Sequence, residues 1–124
     1  MSKNEIRSEA MRYVDNAKEI LSTKAGKEGK YYNDPKYIKM AGNTLWNGAL
    51  LALDHKFPEI KKGKGRPDQT KYRQRINDGK VSKMFDQGYY YTHLVMGYDG
   101  QGTVAVVKEA IDDVTGIINW ATES

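Results

Sequence analysis

The side chains equipped for chemistry in this 124-residue chain are few and scattered: there are two histidines, His55 and His93, and no cysteine. A metal centre inside a helical bundle takes Glu-x-x-His pairs projecting inward from two helices. Here Ala52 and Tyr90 stand three residues before the two histidines. With no thiolate and no convergent histidine set, the chain is expected to hold no transition metal and to use no cofactor. Ser2, Ser8, Ser22, Ser82 and Ser124 lie in no nucleophile-elbow context and near no histidine, so none has an evident base. Asp112 and Asp113 are adjacent, and neighbours on a helix point in different directions, which reads as a solvated face rather than an acid and base pair. No residue is assigned a catalytic role.

Two groups of residues could instead bind. Four of the nine tyrosines are Tyr89, Tyr90, Tyr91 and Tyr98. Three consecutive helical positions fan over roughly 200°, so at least one must leave the core face. A tyrosine exposed beside His93 and Asp99 would line a pocket or a subunit interface, where an apolar ring with a polar tip is favourable. The alternative is a set of rings spanning core and rim. The candidate binding face is therefore Tyr89, Tyr90, Tyr91, His93, Tyr98 and Asp99.

The second group is basic. Residues 56–83 hold ten of the twenty cations but only Glu59, Asp68 and Asp78 of the sixteen acids, a local +7 against −3 elsewhere. Lys61, Lys62, Lys64, Arg66, Lys71, Arg73 and Arg75 are candidate contacts to an anion or nucleic acid, with Tyr72 placed among them to stack on a base. A lysine-rich surface connection that keeps the chain soluble is the other reading. Gly97-Tyr-Asp-Gly-Gln-Gly-Thr103 opens a helix whose free amides could hold an anion. A true phosphate loop would follow a strand and place Lys before the Ser or Thr, so this segment reads as a helix-to-helix turn.

These side chains must be carried by helices. Ser2 and Glu5 have capping-box spacing, and Ile6, Ala10, Tyr13, Val14, Ala17, Ile20 and Leu21 recur at helical steps until Gly26 and Gly29. A loop of roughly eight residues is expected next. Asn33-Asp34-Pro35 starts a second helix running to about Phe57, apolar around most of its girth and carrying Gly42 and Gly48 inside. Each interior glycine costs about 0.5 to 1 kcal/mol against alanine, which is best explained by a neighbouring backbone lying against it. Pro67-Asp68 opens a helix through Ile76, and Asn77-Asp-Gly79 marks either a break or the kink of one longer helix before a further apolar phase from Val81 to Val95. Val104, Val107, Ala110, Ile111, Val114, Ile117, Ile118 and Ala121 make the last helix, periodicity overriding the strand propensity of valine. Short connections force sequential helices side by side, so the expected fold is all-α, an antiparallel up-and-down four-helix bundle with an additional short helix, in a single domain over residues 1–124.

The totals agree with one core, since a chain of this length buries roughly two thirds of its unfolded surface without staples. The absence of cysteine suits a reducing compartment. The first residues lack the apolar stretch of a signal peptide, and no run approaches the roughly 18 apolar residues of a membrane span. A cytoplasmic protein with no membrane partner is expected.

Tyr13-x-x-Asn-Ala-Lys-Glu-Ile-Leu21, then Tyr37-x-Lys-Met-Ala-Gly-x-Thr-x-x-x-Gly-x-Leu-x-Ala-Leu-Asp54, then Tyr91-x-His-Leu-x-x-Gly-Tyr-Asp-Gly100 resembles a family of short uncharacterised bacterial helical-bundle proteins over nearly the whole chain. That family is similar to the HEPN group, the higher eukaryote and prokaryote nucleotide-binding domains. These are helical bundles, often dimeric. Some are RNA-cleaving toxins, and others are non-catalytic partner or nucleotide binders. The ribonuclease members use Arg followed four to six residues later by His, whereas Phe85, Asp86, Gln87 and Gly88 lie ahead of His93 and no arginine lies upstream near His55. The resemblance therefore implies a non-catalytic bundle acting by self-association, as a dimer, or through a protein partner. Nucleic-acid or nucleotide binding through residues 61–75 is the alternative, with ribonuclease activity behind it.

Overall fold

A computed structural model describes residues 1–60 and 68–123. The fold is all-α, with 76% of it helical in five helices. Helix α1, Lys3–Ile20, begins with a complete capping box: Ser2 Oγ accepts from the Glu5 amide at 3.1 Å, and Glu5 Oε1 accepts from the Ser2 amide at 3.1 Å. Those hydrogen bonds stabilise the carboxylate and hold the Glu5 pKa below its ordinary value. Ile6, Ala10, Val14 and Ala17 form its buried stripe. The helix then widens to π geometry over Leu21–Ala25 and stops at Gly26, whose φ of 69° is open to glycine but strained for other residues.

The connection expected to be a loop contains a small antiparallel ribbon. Strands β1, Lys27–Glu28, and β2, Tyr31–Tyr32, pair Lys27 with Tyr32 and Glu28 with Tyr31. Two-residue strands do not stand alone in water. This ribbon is pinned from outside: the Val104 amide donates to Lys30 O at 2.8 Å, the Tyr32 amide donates to Gly102 O at 3.2 Å, and Tyr31 bridges to Thr103. That tertiary support is not written in the local sequence.

Helix α2, Pro35–Lys56, is capped by Asp34, whose carboxylate accepts from the Lys36 amide at 3.1 Å, and Pro35 occupies its first turn. It is the central element, with α1, α5 and the segment after α4 all packed on it. Helix α3, Gln69–Arg75, and helix α4, Gly79–Tyr89, are separate, so the chain breaks at Asn77-Asp-Gly79 rather than kinking there. Asp78 caps α4 by accepting from the Lys80 and Val81 amides at 2.9 and 3.1 Å. Beyond Tyr89 the coil continues in π geometry through Met96, marked by five-residue hydrogen bonds from Gly97 to Thr92 and from Asp99 to Leu94. Helix α5, Val104–Ala121, closes the fold with Thr103 as its cap.

The contacts along α2 show how the chain doubles back. Trp46 meets Phe85 and Tyr89, a side chain added at Gly42 would meet Met96, and one added at Gly100 would meet Pro35 and Lys39. The coil from α4 to Met96 therefore runs opposite to α2. The core between α1, α2, α4 and α5 is filled by Val14, Leu45, Leu53, Phe85, Val114 and Ile117. Among the described residues no helix is long and apolar enough to cross a membrane.

Candidate functional site

The long coil formed by α4 and its π-helical continuation has two unlike sides. On the inner side Val81, Phe85, Gly88, Thr92 and Met96 are buried. Thr92 is kept there by donating its hydroxyl to Gly88 O at 2.7 Å, which satisfies the only polar group on its side chain. On the outer side Tyr90, Leu94 and Tyr98 are 53%, 39% and 76% exposed. They follow one another at steps of four residues, Tyr90 and Leu94 in the π-helical coil and Tyr98 in the turn just beyond it. Large apolar side chains exposed in a row are uncommon unless something covers them.

The predicted tyrosine set therefore divides. Tyr90, Tyr98 and Asp99 are exposed. Tyr89 and His93 are half-buried, their rings stacked at 4.9 Å and 18° with Tyr89 also edge-on to Trp46 at 5.5 Å. Tyr91 is half-buried against Tyr90 at 5.7 Å. The set fans around the coil, as three consecutive rings must, so only part of it can serve one face. Leu94, which the sequence reading left out, belongs to that face. Its position four residues after Tyr90 was the available signal.

The basic set is changed more. Lys61, Lys62, Lys64 and Arg66 lie outside the described residues. Of the rest, Lys71 is exposed, but Arg73 makes a two-pronged contact with Asp86 at 2.8 and 3.2 Å, and Arg75 reaches Glu59 at 2.6 Å. Bonding to Asp86 raises the Arg73 pKa further above its usual value. Tyr72 is fully buried, with its hydroxyl donating to Asp54 at 2.5 Å, and burial followed by that bond drives the phenol pKa well above its normal range. A ring at that depth cannot stack on a base. The interleaved-tyrosine reading is thus corrected: alternation of Lys71, Tyr72 and Arg73 is the amphipathic pattern of α3, with Tyr72 as its anchor.

A second correction concerns the paired carboxylates. Asp112 is exposed as expected, whereas Asp113 is 8% exposed and faces α4. Gln87 Nε2 donates to both Asp113 Oδ2 and Glu109 Oε2, each at 2.9 Å. Among the described residues no three His, Asp or Glu side chains gather into a metal-sized group. The Gly97–Thr103 turn joins two helical segments, and its amides from Gly97 to Gln101 are spent on carbonyls of the preceding coil, except Tyr98, for which no such bond is found. The surface grooves among the described residues include these. One is lined by Tyr13, Asn16, Ile20, Lys24 and Thr44 between α1 and α2, another by Tyr31, Tyr32, Val95, Gln101 and Val106 beside the ribbon. Neither is lined by His93, Tyr98 or Asp99.

This arrangement has a counterpart. Residues 5–123 match the family described as Domain of unknown function (DUF5618). The chain belongs to that family. A solved structure of a protein of unknown function from Dyadobacter fermentans is similar to it, at 45% identity and a TM-score of 0.91, with 98% of each chain covered. No curated protein matches. The DUF5618 match takes in the tyrosine run, the ribbon and α3 together, so every candidate position above lies inside one family unit.

Proposed function

We propose that this DUF5618 chain is a non-catalytic, cytoplasmic, HEPN-like four-helix bundle with an additional short helix that acts by binding, and first by pairing with a second copy of itself. The observation carrying this is the exposed Tyr90, Leu94 and Tyr98 line on the outer side of a coil whose inner side is already filled. Tyrosine is favoured at interfaces because it covers much area with few rotatable bonds. The line runs between exposed Lys83 and exposed Asp99. Two copies set antiparallel bring the positive end of one against the negative end of the other, the self-complementarity that a two-fold interface needs.

The absence of arginine ahead of His93 and the stacking of that ring on Tyr89 support the non-catalytic reading. Another protein as partner is the nearest variant of this reading. RNA or nucleotide binding has less support, because Arg73 and Arg75 are engaged and Tyr72 is inside. The test is static light scattering of the wild type and a Tyr90→Ser, Tyr98→Ser variant from micromolar to millimolar concentration. The expected result is a dimer mass for the wild type and at least a tenfold weaker association for the variant. A wild type that stays monomeric throughout, or a variant that dimerises equally well, rejects pairing through this face.

A further inference from the structure

We propose that Asp113, Glu109 and Gln87 form a proton-operated latch across the seam between α4 and α5, fastened when Asp113 holds a proton and loosened when it does not. The cluster sits where the two helices approach closely. Gly88 of α4 lies against Asp113, the Asp113 Cβ being 3.2 Å from where a side chain at Gly88 would begin, and Trp46 and Ile117 close the same notch at 3.6 and 3.8 Å. A carboxylate in such a place needs donors or a cation. What it has is half of one neutral amide, because Gln87 Nε2 serves Asp113 and Glu109 alike at 2.9 Å each. The two acceptor oxygens consequently stand within twice that distance of each other, close enough for like charges to repel.

The surrounding groups do not relieve this. On α5 itself the neighbours are Glu109 and Asp112, both of them exposed, so the charge repulsion on Asp113 adds to its burial rather than replacing it. On α4, Lys80, Lys83 and Asp86 are exposed, and Asp86 is held by Arg73. From α2 comes the uncharged Trp46. Among the described residues Asp113 forms no ion pair. Burial first, then the charges of Glu109 and Asp112, push the Asp113 pKa up to about 6, with the Gln87 hydrogen bond opposing them. Since the folded value lies above that of the unfolded chain, the stabilisation is complete below about pH 4 and is lost as pH rises through 6. Because α4 leads into the Tyr90 line, proton occupancy sets how firmly that face is held, although the latch itself does not depend on what the face binds.

The test is carboxyl-carbon NMR titration of the wild type, with urea unfolding of wild type, Asp113→Asn and Glu109→Gln between pH 4.5 and 8. An Asp113 midpoint near pH 6 is expected, lowered in Glu109→Gln. The wild-type urea midpoint should fall between pH 5 and 7 while that of Asp113→Asn stays level, leaving the variant the more resistant protein at pH 7.5. An Asp113 midpoint at or below the ordinary value of about 4 overturns the latch, as do parallel pH profiles for wild type and Asp113→Asn. Should that variant fail to fold, the wild-type titration decides alone.

Discussion

Gly42→Ala is expected to lower stability by about 3 kcal/mol or more, a large share of the roughly 5 to 15 kcal/mol that holds an ordinary domain folded. Intrinsic propensity argues the other way, since alanine is favoured over glycine inside a helix by about 1 kcal/mol. Packing wins because the added methyl would stand 2.5 Å from Thr92 O, 2.7 Å from Met96 Cβ and 3.0 Å from the Gly97 amide nitrogen. Two of those three atoms are backbone, in a segment already committed to five-residue hydrogen bonds. Relief would require moving the π-helical coil away from α2. Gly48 is the comparison: a methyl there meets Ala10 O and Tyr13 Cβ at 3.0 Å, a few tenths of an ångström too tight, so its loss is smaller. Urea unfolding of the two variants beside the wild type checks the order, and a Gly42→Ala protein as stable as the wild type would show that α2 and the coil are not in backbone contact.

Trp46→Ala is expected to cost about 3 to 5 kcal/mol. The indole is 3% exposed, edge-on to Phe85 at 5.2 Å and 64° and to Tyr89 at 5.5 Å and 72°, and its far edge reaches the Gly88 notch. It thus ties α2 to α4 and supports the stack of Tyr89 on His93. Removing it leaves a void bounded by helices that cannot collapse independently. Besides the lower melting temperature, the variant should lose most of the near-ultraviolet aromatic dichroism, while the far-ultraviolet helix signal persists below the transition. Retention of the near-ultraviolet signal would place the aromatic cluster elsewhere.

Much of the fold was legible because its helix ends are chemically marked. Ser2, Asp34, Asp78 and Thr103 each cap a helix through a side-chain acceptor, a short-range device that neighbouring residues suffice to specify. The interruption between Tyr72 and Val81 was legible for the same reason. Features set by distant parts of the chain were not. The ribbon at Lys27–Tyr32 depends on bonds from the start of α5, and the π geometry after Tyr89 depends on how the coil meets Gly42. Asp113 shows the limit of helical phase as a guide. It sits four residues before buried Ile117 but beside exposed Asp112, so composition favoured solvent while geometry placed it over Gly88. Tyr72 was misread in the opposite sense, because flanking charges concealed an anchor. In the candidate face, the sequence grouped Tyr90 and Tyr98 with Tyr89, Tyr91, His93 and Asp99, and only coordinates separated the exposed members from Tyr89 and His93.

The central claim is that the outer side of the coil from α4 to Tyr98 is a covered surface. Hydroxyl-radical footprinting across a concentration series reads it residue by residue. Labelling of Tyr90, Leu94 and Tyr98 should fall several-fold together as the protein associates, while half-buried Tyr89 changes little. Labelling of those three side chains that stays constant as the complex forms would contradict the account and place the contact on another face.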